Sequence, residues 1–530
     1  MVGVMATPQA RGVILGKALT VLATIPASVL AGITGHPVSV EVHVSSGLPT
    51  FTVVGLPDAA CREARDRVRA ALLSSGVDWP PGRITVNLAP SGIRKEGPGL
   101  DLAIAIGVMV ADEKLSSEIV AGTAFLAELG LDGHLRAVPG VLPQVRCLDT
   151  AAVVVAPESA AEAALANGPE IRAPDTLKHL IAALRGEDVW PDLPAPESGR
   201  QWDESVDLSD VRGQHMARLG LEIAAAGGHH LLMIGPPGAG KTMLARRLPG
   251  LLPPLDEATA IEATMVRSAA GLELPSSGLV HRAPWQAPHH SASMVSLVGG
   301  GSRGLRPGAI SCAHGGVLFL DEMGEFAPQA LDSLRQPLEE GIIRVNRAAA
   351  VASFPARFLL VGAMNPCPCG DLGQPGMCRC TPLARLRYAR RLSGPLLDRF
   401  DLRIHVGRPD AGDLFDAPAG ESSAEVKCRV DQARAAARHR GVAANSELQD
   451  SALDTLAPLD PEAKNLLCQA IGEGRLTARG LQRVRRVALT LTDLAGGEPP
   501  LTGEVVAQAL FLRSEPVTVA HDPWSFANAR

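Results

Sequence analysis

The sequence predicts an α/β protein whose largest domain is a parallel sheet, and three stretches predict it. Residues 231–242, Leu-Leu-Met-Ile-Gly-Pro-Pro-Gly-Ala-Gly-Lys-Thr, carry four apolar residues into a glycine-rich loop. Residues 317–322, Val-Leu-Phe-Leu-Asp-Glu, are an apolar run closed by two carboxylates. Residues 357–365, Arg-Phe-Leu-Leu-Val-Gly-Ala-Met-Asn, are another, closed by an amide. Short uninterrupted apolar runs of this kind read as strands buried on both faces.

The first stretch fits the pattern G-x-x-x-x-G-K-[ST] between a strand and a helix, the context which that pattern needs. Its glycines let the backbone bend until several N–H groups face one point, and a helix starting near Met243 adds its positive end. In this reading Gly235, Pro236, Pro237, Gly238, Ala239, Gly240, Lys241 and Thr242 wrap the phosphates of ATP. Lys241 reaches the outer phosphates and the Thr242 hydroxyl holds Mg²⁺. Asp321 leaves its strand at the C-terminal end, where ligands of open α/β sheets bind, and is placed to hold Mg²⁺ through water. Glu322 beside it orients the attacking water, and Asn365 holds that water and senses the γ-phosphate.

Composition narrows the class. With 530 residues the chain is long enough for two to four domains, and 46% apolar against 20% charged residues marks it as globular. A net charge of −6 means that any nucleic-acid contact must come from local basic clusters. Nine cysteines, four of them in one short loop, fit a reducing compartment with a metal site better than a disulfide framework. No run is long enough to span a membrane, and the expected location is cytoplasmic.

In chain order, residues 1–28 read as a leader: Ala18–Ala31 is apolar and imitates a signal peptide, but Pro26 interrupts it. Residues 29–189 form a first α+β domain. Val38–Ser45 alternates apolar and polar residues as a half-buried strand does, and Phe51–Val54 is a second strand. Asp58 caps a helix whose exposed side carries Arg62/Asp66 and Glu63/Arg67 at i,i+4. Arg83–Leu88 is a strand, Asp101–Val110 a buried apolar helix, Val153–Pro157 a strand and Thr176–Leu184 a helix. The proline-rich residues 190–206 are the linker to a core spanning 207–412. Residues 413–513 are a helical lid and 514–530 a tail. Glu425–Arg440, Glu462–Glu473 and Glu504–Leu512 are lid helices, and another follows Leu476.

Cys367-Pro-Cys369-Gly-Asp-Leu-Gly-Gln-Pro-Gly-Met-Cys378-Arg-Cys380 sets four thiols within fourteen residues. Four thiolates make a closed tetrahedral Zn²⁺ site, here with C-x-C pairs in place of the commoner C-x-x-C. Redox-labile thiols are the competing reading. A structural zinc would stiffen the loop between Asn365 and Arg399.

Longer strings carry a family resemblance. Ala287-Pro-His-His-Ser-Ala-Ser, Leu297-Val-Gly-Gly-Gly, Arg306-Pro-Gly-Ala-Ile-Ser and Asn365-Pro-Cys-Pro-Cys-Gly resemble the magnesium-chelatase-like AAA+ ATPases of the YifB/ComM group, from about residue 29 onward. The resemblance implies an AAA+ P-loop core with a helical lid, preceded by a ribosomal-S5-like domain of the kind found in Lon proteases. Lon-type enzymes place a serine after the equivalent Gly-Pro and a lysine about forty residues on. Here Gly99 takes the serine position and residues 133–144 offer no lysine, so no acyl-enzyme chemistry is expected. Arg399, in Leu397-Asp-Arg-Phe-Asp401, resembles the arginine finger that reaches a neighbour's phosphate, with pairing to Asp398 or Asp401 as the plain alternative. Arg479, near the start of a sensor-2-like helix, would contact nucleotide phosphates. Arg483, Arg485 and Arg486 read equally as DNA contacts and as solvated lid surface or inter-subunit pairing. In this branch the excursion before residue 317 carries an element facing the central pore, where His289, His290, Arg303 and Arg306 would meet a strand of nucleic acid, with ordinary packing as the plain alternative.

A finger that arrives from the next protomer implies a homo-oligomeric ring, most simply a hexamer. The resemblance implies a motor on branched or single-stranded DNA, acting in branch migration during recombination or uptake. A protein-remodelling ATPase, a metal-chelatase motor subunit and a Lon-like peptidase are the competing readings. Only 3% aromatic residues argues against the first, the N-terminal domain and cysteine loop against the second, and the missing serine and lysine against the third.

Overall fold

The computed structural model describes residues 22–193 and 206–513, apart from 276–277, 302–304, 348–349, 373–376, 410–411, 413–414 and 416–417. The tail and most of the linker and leader lie outside the described residues. The chain divides into two compact units near residue 194.

The N-terminal unit has a four-stranded sheet in the order β1-β2-β4-β3, from β1 (Leu22–Ala31), β2 (Thr34–Ser45), β3 (Thr50–Val54) and β4 (Arg83–Ala89). Strand β1 takes up residues 22–28, which were expected to belong to the leader. Alternation explains why: Ala23, Ile25, Ala27 and Val29 are all buried. Pairing of β2 with β4 is antiparallel and of β3 with β4 parallel, with Val86 opposite both Val42 and Val53.

Helix α1 (Ala59–Ser74) starts at Asp58, whose side chain accepts from the Cys61 N–H. Its expected charge pairing is only partly formed. Arg62 donates to the Pro57 carbonyl, and Arg67 pairs loosely with Glu63 at 3.8 Å but tightly with Asp101 at 2.6 Å. Helix α2 (Asp101–Ala111) is buried along its whole length. Removing its six large apolar side chains from water contributes on the order of 10 kcal/mol. Gly107 lets α2 cross the sheet closely, since a Cβ there would sit 2.5 Å from a Val42 methyl. A second sheet of three parallel strands, β5 (Thr123–Leu126), β6 (Ala152–Val155) and β7 (Glu170–Arg172), precedes α3 (Leu177–Leu184).

The C-terminal unit is built on five parallel strands: β8 (Leu231–Ile234), β9 (Trp285–Gln286), β10 (Val317–Leu320), β13 (Leu359–Met364) and β14 (Leu402–His405). Between β10 and β13 a hairpin, β11 (Ile342–Arg347) and β12 (Ala350–Pro355), forms a separate two-stranded sheet whose Ile343, Val345, Ala352 and Phe354 share a hydrophobic cluster with Leu318, Leu320 and Leu360. The five strands are ordered β9-β10-β13-β8-β14, so β13 stands between the P-loop strand and the Asp-Glu strand. Leu231 aligns with Val361 on one side and Leu402 on the other, and Leu318 with Leu360. All four residues of β8 and of β10 are buried, as the apolar runs require.

Helix α4 (His215–Gly227) covers this sheet. The helix after the P-loop, α5 (Lys241–Ala245), begins two residues earlier than expected and is interrupted before a second turn, Leu248–Leu251. Pro249 cannot donate the N–H that would continue it. The lid comprises α6 (Ser423–His439), α7 (Pro461–Gly472), α8 (Ala478–Leu494) and α9 (Gly503–Phe511). Ser422 and Glu425 form a capping box at the start of α6.

Candidate nucleotide site and arginine cluster

Gly235 begins the phosphate loop at the end of β8. It approaches β14 so closely that a Cβ would lie 2.1 Å from the Val406 carbonyl oxygen. Gly238 and Gly240 both have positive φ, 77° and 83°, which a side chain would resist. Lys241 folds back into the loop. Its Nζ donates to the carbonyls of Gly235 (2.7 Å) and Pro236 (3.0 Å) and to Asn365 Oδ1 (3.3 Å). Burial lowers the Lys241 pKa, against the pull of Asp321 and Glu322.

Thr242 Oγ1 donates to Asp321 Oδ2 at 2.6 Å. A hydroxyl and a carboxylate at that distance are hard oxygen donors of the type Mg²⁺ takes, so these residues fit the ion. Glu322 has a left-handed backbone, φ 48°, which costs an ordinary residue about 1–3 kcal/mol. Its N–H donates to Asp321 Oδ1, and its Oε2 lies 3.0 Å from His290 Nδ1. The rings of His289 and His290 are 4.1 Å apart. A cleft of about 290 Å³ opens here, lined by Thr242, Arg246, Trp285, His290, Asp321 and Glu322 among others.

His290 faces the nucleotide-side carboxylate, and His289 lines the same cleft. Arg303 lies outside the described residues, and Arg306 is exposed in a two-residue bridge to Gly300. The sequence signal for His290 was its position just past β9, the strand beside β10.

Arg399 and Arg479 are not at this cleft. They line a second one, of about 210 Å³, together with Glu339, Arg483 and Arg486. No residue lines both clefts. Arg399 is buried and ion-paired with Glu339, not with Asp398 or Asp401, and its Nε has no hydrogen-bond partner among the described residues. Burial, then repulsion from Arg483, Arg479 and Arg335, lowers its pKa.

Asp401 serves a different purpose. Buried, it accepts from Arg483, which also donates to the Arg399 carbonyl at 3.0 Å. His229 Nδ1 stands 3.4 Å from Asp401 Oδ2, and its Nε2 meets Thr490 of α8 at 2.8 Å. Burial alone would raise the Asp401 pKa. The neighbouring His229 ring and the charge of Arg483 reverse this and hold it well below the carboxylate range. Arg485 donates to the Leu453 and Ala457 carbonyls, and Arg486 to that of Leu448. These arginines bond within the lid, and Arg483 ties it to the Arg399 segment.

The sulfurs of Cys367, Cys369 and Cys378 are 3.4–3.7 Å apart, and that of Cys380 lies within 4.8 Å of each. A tetrahedron of ~2.3 Å zinc–thiolate bonds has edges of about 3.8 Å, so the four residues fit Zn²⁺. Backbone N–H groups of Asp371 and Arg379 bring the Cys369 thiol down to about 6, while burial pushes Cys367 up to about 12.

A P-loop on one strand, an Asp-Glu pair on the next but one and an amide on the strand between define a nucleotide-binding protein of the AAA+ class. Family models agree. One for magnesium chelatase subunit ChlI matches residues 207–414, one for its C-terminal part 420–513, and one for subunit ChlI of Mg-chelatase 40–159. The YifB protein of Escherichia coli is 43% identical over 466 residues, 87% of this chain and 91% of that protein. Competence protein ComM of Haemophilus influenzae is 41% identical over 503 residues, 93% and 97% respectively. A distant relative, the probable DNA helicase MCM9 of Arabidopsis thaliana, is 27% identical over 199 residues, 37% of this chain and 25% of that protein. The chain belongs to the magnesium-chelatase-like YifB/ComM family. Among the described residues no helix is long and apolar enough to cross a membrane.

Proposed function

We propose that this chain is an ATPase that works as a ring, most simply a hexamer, and drives movement along branched or single-stranded DNA. The separation of the two clefts carries the reading. Lys241, Thr242, Asp321, Glu322 and Asn365 make one half of a hydrolysis site. Arg399 and Arg479 gather with Arg483 and Arg486 in a different cleft of the same chain, where Glu339 holds Arg399 and would give it up to a phosphate. A triphosphate held by one subunit and approached by the arginines of the next completes both.

In that joint the P-loop N–H groups and Lys241 orient the phosphates, and Lys241 exchanges its carbonyl partners for phosphate oxygens. Glu322, released from His290, orients the attacking water, and Asn365 holds it in line. Mg²⁺, when bound by Thr242 and Asp321, neutralises charge on the phosphates. Arg399 of the adjacent subunit offsets charge on the departing phosphoryl group, worth roughly 10³ or more in rate in comparable sites.

The DNA assignment draws support from the names of ComM and of the helicase relative, and from the β11–β12 hairpin. On that hairpin exposed Arg344 and Asn346 alternate with buried Ile343 and Val345. We assign the N-terminal unit an S5-like fold without peptidase activity, the four-cysteine loop a structural Zn²⁺, and the protein a cytoplasmic location.

The test is ATP turnover of the purified chain with and without branched DNA, beside Lys241→Ala and Glu322→Gln. Stimulation by DNA in the wild type alone supports the motor; absence of both binding and stimulation removes it while leaving the ATPase. Mixing Arg399→Ala with Lys241→Ala subunits should restore part of the activity. A monomer with full activity would overturn the ring.

A further inference from the structure

The four-thiol loop does more than lie near the nucleotide cleft: it backs the phosphate loop. Gly370, between Cys369 and Asp371, has φ 85° and donates its N–H to the Cys367 carbonyl at 3.0 Å, closing a tight turn. It rests on the ring of Pro237, so closely that a Cβ at Gly370 would lie 2.4 Å from Pro237 Cδ and 2.9 Å from Cγ. Next to it, Arg408 bridges the two loops, with Nη2 3.3 Å from Asp371 Oδ1 and Nε 3.4 Å from the Pro237 carbonyl. From the other side Asn365, two residues before Cys367, accepts from Lys241. One short segment thus touches the phosphate loop at its middle and at its lysine.

We propose that Gly370, Asp371 and Arg408 are positioning residues for the phosphate loop, and that metal held by Cys367, Cys369, Cys378 and Cys380 fixes them in place. Metal occupancy then sets the affinity of the neighbouring site for nucleoside triphosphate. The inference rests on reading residues 235–242 as that site. Its physical basis is preorganisation. A glycine-rich loop with two positive-φ residues has many alternative conformations, and binding must select one. Proline at 236 and 237 narrows the choice, and a rigid turn against the Pro237 ring narrows it further. Four bonds to one metal supply that rigidity in a segment whose own packing is thin: only Cys367 of the four thiols is buried.

Two perturbations separate the metal from the contact. Cys378→Ser removes one ligand. Gly370→Ala keeps all four thiols but places a methyl where the Pro237 ring stands, so that the loop must move about 1 Å. The full-length protein is reconstituted with zinc, then stripped with a chelator under reductant, with metal content measured by mass spectrometry. Binding of a fluorescent adenine nucleotide is titrated in each state, with Lys241→Ala as the reference for a disabled loop and Cys468→Ser, an exposed lid position, as the control.

Stripped wild type and Cys378→Ser should bind nucleotide about 10- to 100-fold more weakly, the scale on which a 1 Å misplacement acts. Readdition of zinc should restore the wild type only. Gly370→Ala should keep its metal and still lose affinity, and Cys468→Ser should match the wild type. Equal affinity with and without measured zinc overturns the inference alone, as does wild type that takes up no zinc. Wild type that binds zinc but no nucleotide overturns the nucleotide reading and this inference with it.

Discussion

Replacing Asp401 by Asn tests how the Arg399 segment is held. Asp401 is buried, accepts from Arg483 and stands beside His229, and Arg483 in turn fixes the Arg399 carbonyl. Asn keeps the shape but removes the charge, leaving the Arg483 guanidinium without its counter-charge in a poorly solvated place. Breaking a buried pair in this way costs on the order of 3–5 kcal/mol. Taking the lower figure, the melting temperature of the C-terminal unit should fall by roughly 6–12 °C.

Asp401 also has a pH signature. Its folded pKa lies below its unfolded one, so its stabilisation is present above the unfolded value and lost as pH falls through the folded one. The deficit of Asp401→Asn against wild type should therefore be constant from pH 6 to 9 and shrink only below about pH 4. Calorimetry at four pH values measures it. Adding Arg483→Met should recover much of the loss, because the stranded cation is gone. In subunit mixtures Asp401→Asn should also weaken rescue of Lys241→Ala, since the Arg399 backbone is released. Wild-type melting together with wild-type rescue would refute the reasoning.

Three further changes follow from the same geometry. Arg67→Met leaves Asp101 buried without its cation; burial already raises that carboxyl to about 6 against the pull of Arg67, so the variant should lose stability as pH rises from 5 to 8. Calorimetry of Arg67→Met, with Asp101→Leu added as the recovering change, checks this. His290→Ala removes the ring nitrogen that stands 3.0 Å from the Glu322 carboxylate, and basal ATP turnover should rise about 2- to 10-fold, the scale of one polar contact; an unchanged or lower rate would contradict the tie. Gly235→Ala sets a methyl 2.1 Å from the Val406 carbonyl oxygen, a backbone atom, so it should weaken nucleotide binding roughly 100-fold in an equilibrium titration and also lower the melting temperature.

By itself the sequence determined the local pieces. Glycine at 235, 238 and 240, the apolar runs ending at Asp321 and Asn365, and four cysteines in fourteen residues are legible because each needs only neighbours along the chain. Burial on both faces writes itself as an uninterrupted apolar run, and a phosphate loop as spaced glycines. Tertiary structure decided what those pieces meet. Lys241 facing Asn365 spans 124 positions and Asp401 meeting Arg483 spans 82, and no local pattern encodes such a pairing. Only the folded chain put Arg399 and Arg479 in one cleft away from the phosphate loop, turned His290 onto Glu322, and set Gly370 on Pro237. The reason is that side-chain chemistry is local, whereas the choice of partner depends on sheet order and loop paths, which follow from packing of the whole unit.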